Sequence, residues 1–162
     1  MPASSTNSLI LSLAALCWAG TSSAATSCTI AAGNVGFGGY DVFDATDRDT
    51  DATVIVTCSR NGGPQNINVG IAIGPGGNGG TTSSRKMKLS GGSDLLGYVL
   101  FRDSSRSQRW GDTAGVDVFT QSLSVPNNSS AQLNTKIYGR IPAGQDVSKG
   151  SYSDTIFVTV TP

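Results

Sequence analysis

Acidic residues are the side chains of this sequence best suited to chemistry. The 162-residue chain contains eleven acidic residues, all of them Asp, and no His. General acid–base catalysis at neutral pH usually depends on His, or on a Glu whose pKa its surroundings have raised. Hydrolytic triads of the usual type also need a His beside the nucleophile. We therefore expect a protein without a catalytic site and without a bound cofactor.

Five Asp residues form an acidic run, which is the best metal-binding candidate in the sequence. These residues are Asp41, Asp44, Asp47, Asp49 and Asp51. The spacing of the last three matches the first ligands of a calcium-binding EF-hand loop. The match then fails, because Ala52 stands where the loop needs Gly and Cys58 stands where it needs Glu. We therefore expect a solvated acidic loop before a strand, with no metal.

Three other segments resemble binding sites only weakly. Residues 74–80 are rich in Gly, but a phosphate-binding loop also needs a Lys and a following helix, so we expect a flexible hairpin loop. The cationic residues at 85–88 have no aromatic residues among them, and the formal net charge is zero, so we expect a solvated strand face and no nucleic-acid partner. Trp110 and Tyr138 could stack on a sugar, but isolated aromatic residues more often belong to the core.

The N-terminus resembles an export signal. Residues 9–18 are mostly apolar, and the small residues after them suggest cleavage after Ala24 or Ala25. The apolar stretch is too short to span a bilayer, so we expect no stable membrane insertion. The start is atypical, because no Lys or Arg precedes the apolar stretch. Cleavage leaves Cys28 and Cys58, and an even pair of cysteines in an exported chain predicts a disulfide.

Alternation of apolar and polar residues dominates the rest of the chain. It predicts strands at residues 52–58, 66–73, 85–89, 95–102, 116–125 and 131–141, with weaker candidates at 26–34 and 35–40. Turn signals recur about every ten residues, which is typical of a β-sandwich or a barrel. We therefore predict one all-β domain over residues 26–162, behind a signal peptide at residues 1–25.

The last segment, residues 150–162, has the clearest strand pattern. Its side chains alternate between two faces, and one face carries Tyr152, Asp154, Ile156, Val158 and Val160. No later residue of this sequence can pair with the strand. We therefore expect it either to lie inside a complete sheet or to border a gap that another chain fills.

Several short motifs occur together in a fixed order along the chain. They are SCT at 27–29, FGGYD at 37–41, VIVTC at 54–58, YVLFRD at 98–103, WGD at 110–112, YGRIPAGQ at 138–145, GSYSDT at 150–155 and VTV at 158–160. Together they resemble the spore coat protein U domain family, the secreted β-sandwich subunits of archaic chaperone–usher pili. Each motif is weak by itself, but the combination is specific and covers the whole predicted mature chain.

The resemblance implies an immunoglobulin-like β-sandwich that lacks its last strand. In the family, a periplasmic chaperone lends a strand to the gap, and an outer-membrane usher exchanges it for the N-terminal segment of another pilus subunit. This exchange is donor-strand complementation, a form of β-strand addition. The acceptor-groove residues implied here are Tyr152, Ile156, Val158 and Val160. The Cys28–Cys58 disulfide would tie the first strand to the second.

The function implied is structural rather than enzymatic. The protein would pass through the periplasm to the cell surface and serve adhesion and biofilm formation in a pilus or surface coat. One feature departs from the polymer-forming pattern, since only Thr26 and Ser27 separate Ala25 from Cys28. Two residues cannot form a donor strand. The alternative function is therefore a non-polymerising or tip-located binding module that recognises a glycan or a surface. If translation starts upstream of Met1, a longer segment would precede Cys28, and the protein would be an ordinary polymerising subunit.

Overall fold

The computed structural model describes residues 25–162, and this range contains nine β-strands and no α-helix. The nine strands are β1 (Thr26–Ala32), β2 (Arg48–Arg60), β3 (Gln65–Ile73), β4 (Arg85–Leu89), β5 (Leu95–Phe101), β6 (Phe119–Val125), β7 (Ser130–Ile141), β8 (Tyr152–Ser153) and β9 (Val158–Thr161). The described residues include no helix that could cross a membrane. The predicted all-β class is confirmed. The predicted signal peptide lies outside the described residues, apart from Ala25.

The strands form two antiparallel sheets. One sheet has six strands in the order β1-β2-β7-β5-β4-β8, and the other has three in the order β6-β3-β9. The long strand β2 lies between β1 and β7, and it pairs with β7 along nearly its whole length and with β1 over its second half. Most neighbouring strands are far apart in sequence, so the fold depends on long-range pairing.

The core lies between the sheets and is built from alternate side chains of the strands. Its fully buried aliphatic residues include Val54, Val56, Val69, Ile71, Ile73, Leu100, Ile137 and Ile141. The predicted disulfide is present: Cys28 of β1 lies opposite Cys58 of β2, and the two are bonded. Because the cysteines are 30 residues apart, the bond stabilises the fold by about 3–4 kcal/mol on the chain-entropy account.

Two large side chains with polar tips complete the core. Trp110 and Arg85 are both 0% exposed, and Trp110 Nε1 donates to the carbonyl of Ile71 at 2.8 Å. The Arg85 guanidinium donates to four backbone carbonyls, those of Ile73, Gly74, Thr82 and Trp110. Burial lowers the pKa of Arg85. The prediction of a solvated cationic face is therefore wrong for Arg85, which instead holds several loops together. Trp110 is a core residue and has no face available to a sugar.

Three differences between the predicted and observed segments are larger than the shifts of up to three residues at the other strand ends. β2 begins at Arg48, so the end of the predicted acidic loop belongs to a strand. Residues 33–40, which include the weak candidate at 35–40, form no strand. The predicted final strand is divided into β8 and β9, which belong to different sheets. The contacts that cause the last two differences lie in the candidate site.

Candidate functional site

An open cleft leads from the surface to the core. One wall is formed by residues 32–43, which follow β1, and the other by residues 147–158, which lead through β8 to β9. The floor consists of buried side chains: Met87, Leu96, Tyr98, Leu100, Ile137 and Ile141. The cleft has a smaller compartment of about 430 Å³, beside Ile156 and Val158, and a larger one of about 900 Å³, beside residues 147–152.

Two strand edges without partners flank this cleft. β1 is the outermost strand of the six-stranded sheet, and β9 is the outermost strand of the three-stranded sheet. The two strands have Cα atoms within 8 Å of each other, yet no ladder joins them in residues 25–162. Each strand is paired along one edge only. The backbone N–H and C=O groups of the other edge are therefore available to an added strand.

The inward side chains of the last segment are less buried than those of the strand beside it. On β3, Ile71 and Ile73 are 0% exposed. Val160 and Val158 pair with these two residues and also pack against the core, but they remain half-buried. Ile30 on the inward face of β1 is likewise half-buried. Apolar surface along both edges is therefore incompletely covered, and covering it would be favourable.

The structure places three of the four predicted groove residues in the lining of the cleft. Tyr152, Ile156 and Val158 line it, and Tyr152 is shared by both compartments. Val160 lies outside the lining, where it pairs with Ile71 and packs against the core. The role of these four residues as strand acceptors stays a prediction.

Asp154 anchors the wall between β8 and β9. Its carboxylate accepts hydrogen bonds from Tyr98 Oη at 2.6 Å, Asn78 Nδ2 at 2.9 Å and the backbone N–H of Gly77 at 3.0 Å. Burial, together with the hydrogen bond to Asp154, raises the pKa of Tyr98 well above its usual range, so the hydroxyl remains a donor. A Cβ at Gly76 would overlap the Asp154 carboxylate, so the close approach of the loop requires glycine there.

These contacts explain two differences from the sequence-based expectations. The Asp154 anchor holds the chain where it leaves β8, so the last segment crosses from one sheet to the other instead of continuing as one strand. The Gly-rich loop at 74–80 is bonded to this anchor and is not the flexible hairpin expected. The sequence contained one indication of this anchor. Asp154 is a carboxylate on the otherwise apolar face of the last segment, and burying a carboxylate there costs free energy unless hydrogen-bond donors surround it.

The opposite wall is held along β2 by hydrogen bonds outside the regular ladder. They run from Gly33 N to Thr53 O (3.0 Å), from Thr50 Oγ1 to Gly36 O (2.9 Å) and from Arg48 Nε to Phe37 O (2.7 Å). Val35 and Phe37 turn inward and cover Gly139 of β7, where a Cβ would lie 2.8 Å from Phe37 Cζ. One backbone bond and two side-chain bonds to β2 therefore fix this wall where a strand was expected.

The acidic run is only partly the solvated loop that was expected: Asp41, Asp44 and Asp47 lie in an exposed loop before β2, but the last two Asp residues lie on the strand. Asp49 and Asp51 belong to β2, and β7 supplies their cations: Arg140 Nε lies 2.7 Å from Asp49 Oδ1, and Lys136 Nζ lies 2.9 Å from Asp51 Oδ2. Asp47 pairs with Arg140 at 3.2 Å. The hydrogen bond from Arg140 is the main cause that lowers the pKa of Asp49. In residues 25–162, no group of three or more potential metal ligands comes together.

The Spore Coat Protein U domain family has a model that matches residues 14–159 of the chain. The chain belongs to this family. The match covers both walls and the floor of the cleft. It begins within the predicted signal peptide, whose boundary stays a prediction.

Two similar proteins place the family fold in context. Protein U of Myxococcus xanthus is 29% identical over 126 residues, which cover 76% of this chain and 62% of that protein. The crystal structure of the CsuC–CsuE chaperone–tip adhesion subunit pre-assembly complex, from archaic chaperone–usher Csu pili of Acinetobacter baumannii, contains a chain that is 23% identical with a TM-score of 0.58. That match covers 84% of this chain and 40% of the other. The chain thus spans less than two thirds of either protein. The predicted immunoglobulin-like sandwich is confirmed.

Proposed function

We propose that this protein is a structural subunit of an archaic chaperone–usher pilus or surface coat, and that the cleft accepts a β-strand from another chain. The observation that carries the proposal is the pair of unpartnered edges, on β1 and β9, beside a cleft with an apolar floor. An extended segment laid in the cleft would bond to the free backbone of one of these edges and turn alternate side chains toward the floor. A periplasmic chaperone would supply the first strand, and another pilus subunit would replace it at an outer-membrane usher.

The proposal includes a route and a role for the protein. Residues 1–25 would direct export and be removed, residues 26–162 would fold in the periplasm, and the assembled subunit would be displayed at the cell surface for adhesion and biofilm formation. The protein would have no catalytic activity. Two features support this role: family membership, and a fold shared with a chain from a chaperone–tip adhesion subunit complex.

A charge on the cleft side of the last segment tests strand acceptance. We expect Ile156→Asp and Val158→Asp to reduce recovery of the protein with a tagged pilus chaperone co-expressed in the periplasm, because the added strand would bury an unpaired carboxylate. Ile156 lies outside the sheet ladders, so its replacement leaves strand pairing intact. Thr159→Asp is the matched control, because Thr159 is an exposed neighbour on the outer face. Equal recovery of all three variants would contradict the proposal.

A tip-located module that binds a glycan or a surface is the second candidate. One observation favours it: the side chain of Phe43 is 93% exposed at a turn. Two hydrogen bonds fix this turn, one from the Phe43 N–H to the Asp41 carboxylate and one from the Thr46 N–H to the Asp44 carboxylate. An apolar side chain held outward in this way suits contact with a surface. Phe43→Ser should then reduce adhesion of cells while the amount of assembled pilus stays unchanged. A parallel loss of pilus would assign Phe43 to assembly.

A further inference from the structure

A separate depression of about 720 Å³ lies on the outer face of the six-stranded sheet. Its floor includes Val99 and Phe101 of β5, which alternate with core residues of the same strand. One side is formed by the loop that follows β5, residues 102–109, and the rim carries Val116, an apolar residue that is 69% exposed. The volume lies within the range of about 300–1,000 Å³ that is usual for the sites of small ligands.

Three of the seven Arg residues of the chain lie in the loop at 102–109. Arg102, Arg106 and Arg109 all line the depression. Among the described residues that line it, the one acidic residue is Asp117, and its carboxylate already accepts the Thr113 N–H at 2.7 Å. The lining therefore carries a net positive charge, which attracts anions.

The shape of the loop is fixed by its own hydrogen bonds. The Asp103 carboxylate accepts the backbone N–H groups of Ser107 at 3.1 Å and Gln108 at 2.7 Å, and the Arg102 N–H donates to the Gln108 carbonyl at 3.0 Å. Arg106 lies at the tip with a φ of 55°, a left-handed conformation that is uncommon for a residue other than Gly. The arginines of the loop are therefore positioned before a ligand binds, which lowers the entropic cost of binding.

Arg106 ties the loop to the sheet. Its Nε lies 3.2 Å from Asp49 Oδ1 on β2, and its guanidinium lies over the ring of Tyr138 on β7, with Cζ 5.8 Å from the ring centroid. It also donates to the carbonyls of Thr50 and Gly139 at 3.4 Å. The charge of Arg106 is thus paired within the protein, and Arg106 acts as a positioning residue for the other two arginines.

Arg102 and Arg109 keep hydrogen-bond donors for a ligand. Arg102 donates from Nε to Gln108 Oε1 at 3.0 Å and from Nη1 to the Val118 carbonyl at 3.1 Å, which leaves Nη2 without an acceptor among residues 25–162. The exposed side chain of Arg109 meets no acceptor in the same range. Neither guanidinium is paired with a carboxylate of the described chain.

We propose that this depression binds an acidic saccharide, and that Arg102 and Arg109 hold a carboxylate of its sugar. The planar carboxylate matches the fork of a guanidinium, which can donate two parallel hydrogen bonds to it. The inference goes beyond the proposed function, because no residue that lines the depression also lines the cleft. The saccharide therefore binds whether or not the cleft holds a strand.

The other groups of the depression favour a sugar over a simple anion. Gln108 Nε2 has no acceptor within residues 25–162, so it can donate to a sugar hydroxyl. Val99 and Val116 offer apolar surface that the C–H groups of a sugar ring can cover. Inorganic phosphate would engage the guanidiniums but leave this surface exposed to water. A neutral saccharide would leave the guanidiniums without a counter-charge.

Matched saccharides test the inference. The probes are trigalacturonate, trimannuronate and the methyl esters of both, in which the carboxylates have lost their charge. Calorimetry measures their binding to the exported wild-type protein, and inorganic phosphate is measured at the same ionic strength. We expect at least one acid to bind about tenfold or more tightly than its ester, because charge-assisted hydrogen bonds are lost in the ester, and to bind more tightly than phosphate.

Arg109 gives the variant that tests the site. Arg109→Gln should weaken binding of the acid at least about fivefold without changing the unfolding temperature, because its side chain has no partner in the described chain. Arg109→Lys keeps the charge but not the fork and should give an intermediate affinity. Lys88→Gln is the matched control, because it removes one exposed cation that lies outside the depression, and it should leave the affinity unchanged.

Each contrary result overturns a stated part of the inference. Failure of both acids to bind, or equal binding of an acid and its ester, would rule out the acidic saccharide. Phosphate binding as tight as that of the acids would reduce the depression to a simple anion site. Equal losses in Arg109→Gln and Lys88→Gln would move the binding elsewhere. Recovery of Arg109→Gln with the pilus chaperone is measured separately, so failure here leaves strand acceptance standing.

Discussion

Replacing Asp154 tests whether a half-buried carboxylate holds the cleft wall in place. In Asp154→Ala, Tyr98 loses the acceptor of its hydroxyl, and Tyr98 is only 5% exposed. The other two donors are less affected, because Gly77 is exposed to water and Asn78 Nδ2 also lies 3.1 Å from the carbonyls of Lys86 and Ser153. The buried Tyr98 hydroxyl is then left without an acceptor, and the Gly-rich loop at 74–80 is released. Together these two effects should lower the free energy of unfolding by about 2–3 kcal/mol.

A double-mutant cycle with Tyr98→Phe makes the test specific. Tyr98→Phe removes the donor without leaving a buried hydroxyl unpaired, so its own cost should be about 1 kcal/mol. In that background Asp154→Ala should cost about 1–2 kcal/mol less than in the wild type, because the two residues are coupled. Urea unfolding measures each variant, with an unchanged m-value as the sign that the native fold is retained. Equal costs of Asp154→Ala in both backgrounds would refute the reasoning.

Two further predictions concern the buried arginine and the ion-paired strand face. Arg85→Met should lower the free energy of unfolding by about 3–5 kcal/mol, because four carbonyls lose their donor, whereas Lys88→Met on the exposed face should change it by less than about 0.5 kcal/mol. Similar urea midpoints for the two would contradict this. The lowered pKa of Asp49 in the folded state stabilises the fold above its unfolded pKa of about 3.9, and this stability is lost as pH falls through the lower folded value. Asp49→Asn should therefore reduce the difference in stability between about pH 6 and about pH 2, and an unchanged difference would count against the pair with Arg140.

The strands that face the core could be predicted because their pattern is local. In β3, the buried Ile67, Val69, Ile71 and Ile73 alternate with more exposed residues, and the structure preserves that period throughout. The extension of β2 through Asp49 and Asp51 could not be predicted in this way. These carboxylates are stabilised on a strand by Arg140 and Lys136, which are about 90 residues later in the chain. A short stretch of sequence around Asp49 and Asp51 does not include these partners, so it cannot predict the pairing.

The same distinction applies to the candidate site. The alternation of Ile156, Val158 and Val160 is visible in the sequence, but the break between β8 and β9 is not. That break depends on Asp154 meeting Tyr98 and the Gly77 N–H, groups that come from two distant segments. The place of Phe37 in the cleft depends in turn on Gly139, a glycine with no local turn to explain it. Residues that pack against distant glycines carry no periodic signal.

The walls of the cleft are fixed by contacts that do not involve a bound strand. Arg48 and Thr50 hold one wall to β2, while Asp154 holds the other to Tyr98 and the Gly-rich loop. Such a cleft is largely formed before anything enters it, so the loss of conformational entropy on binding falls mainly on the incoming strand. Because β1 and β9 have Cα atoms within 8 Å of each other, a strand paired with both edges would have to move them apart, whereas a strand paired with one edge would not.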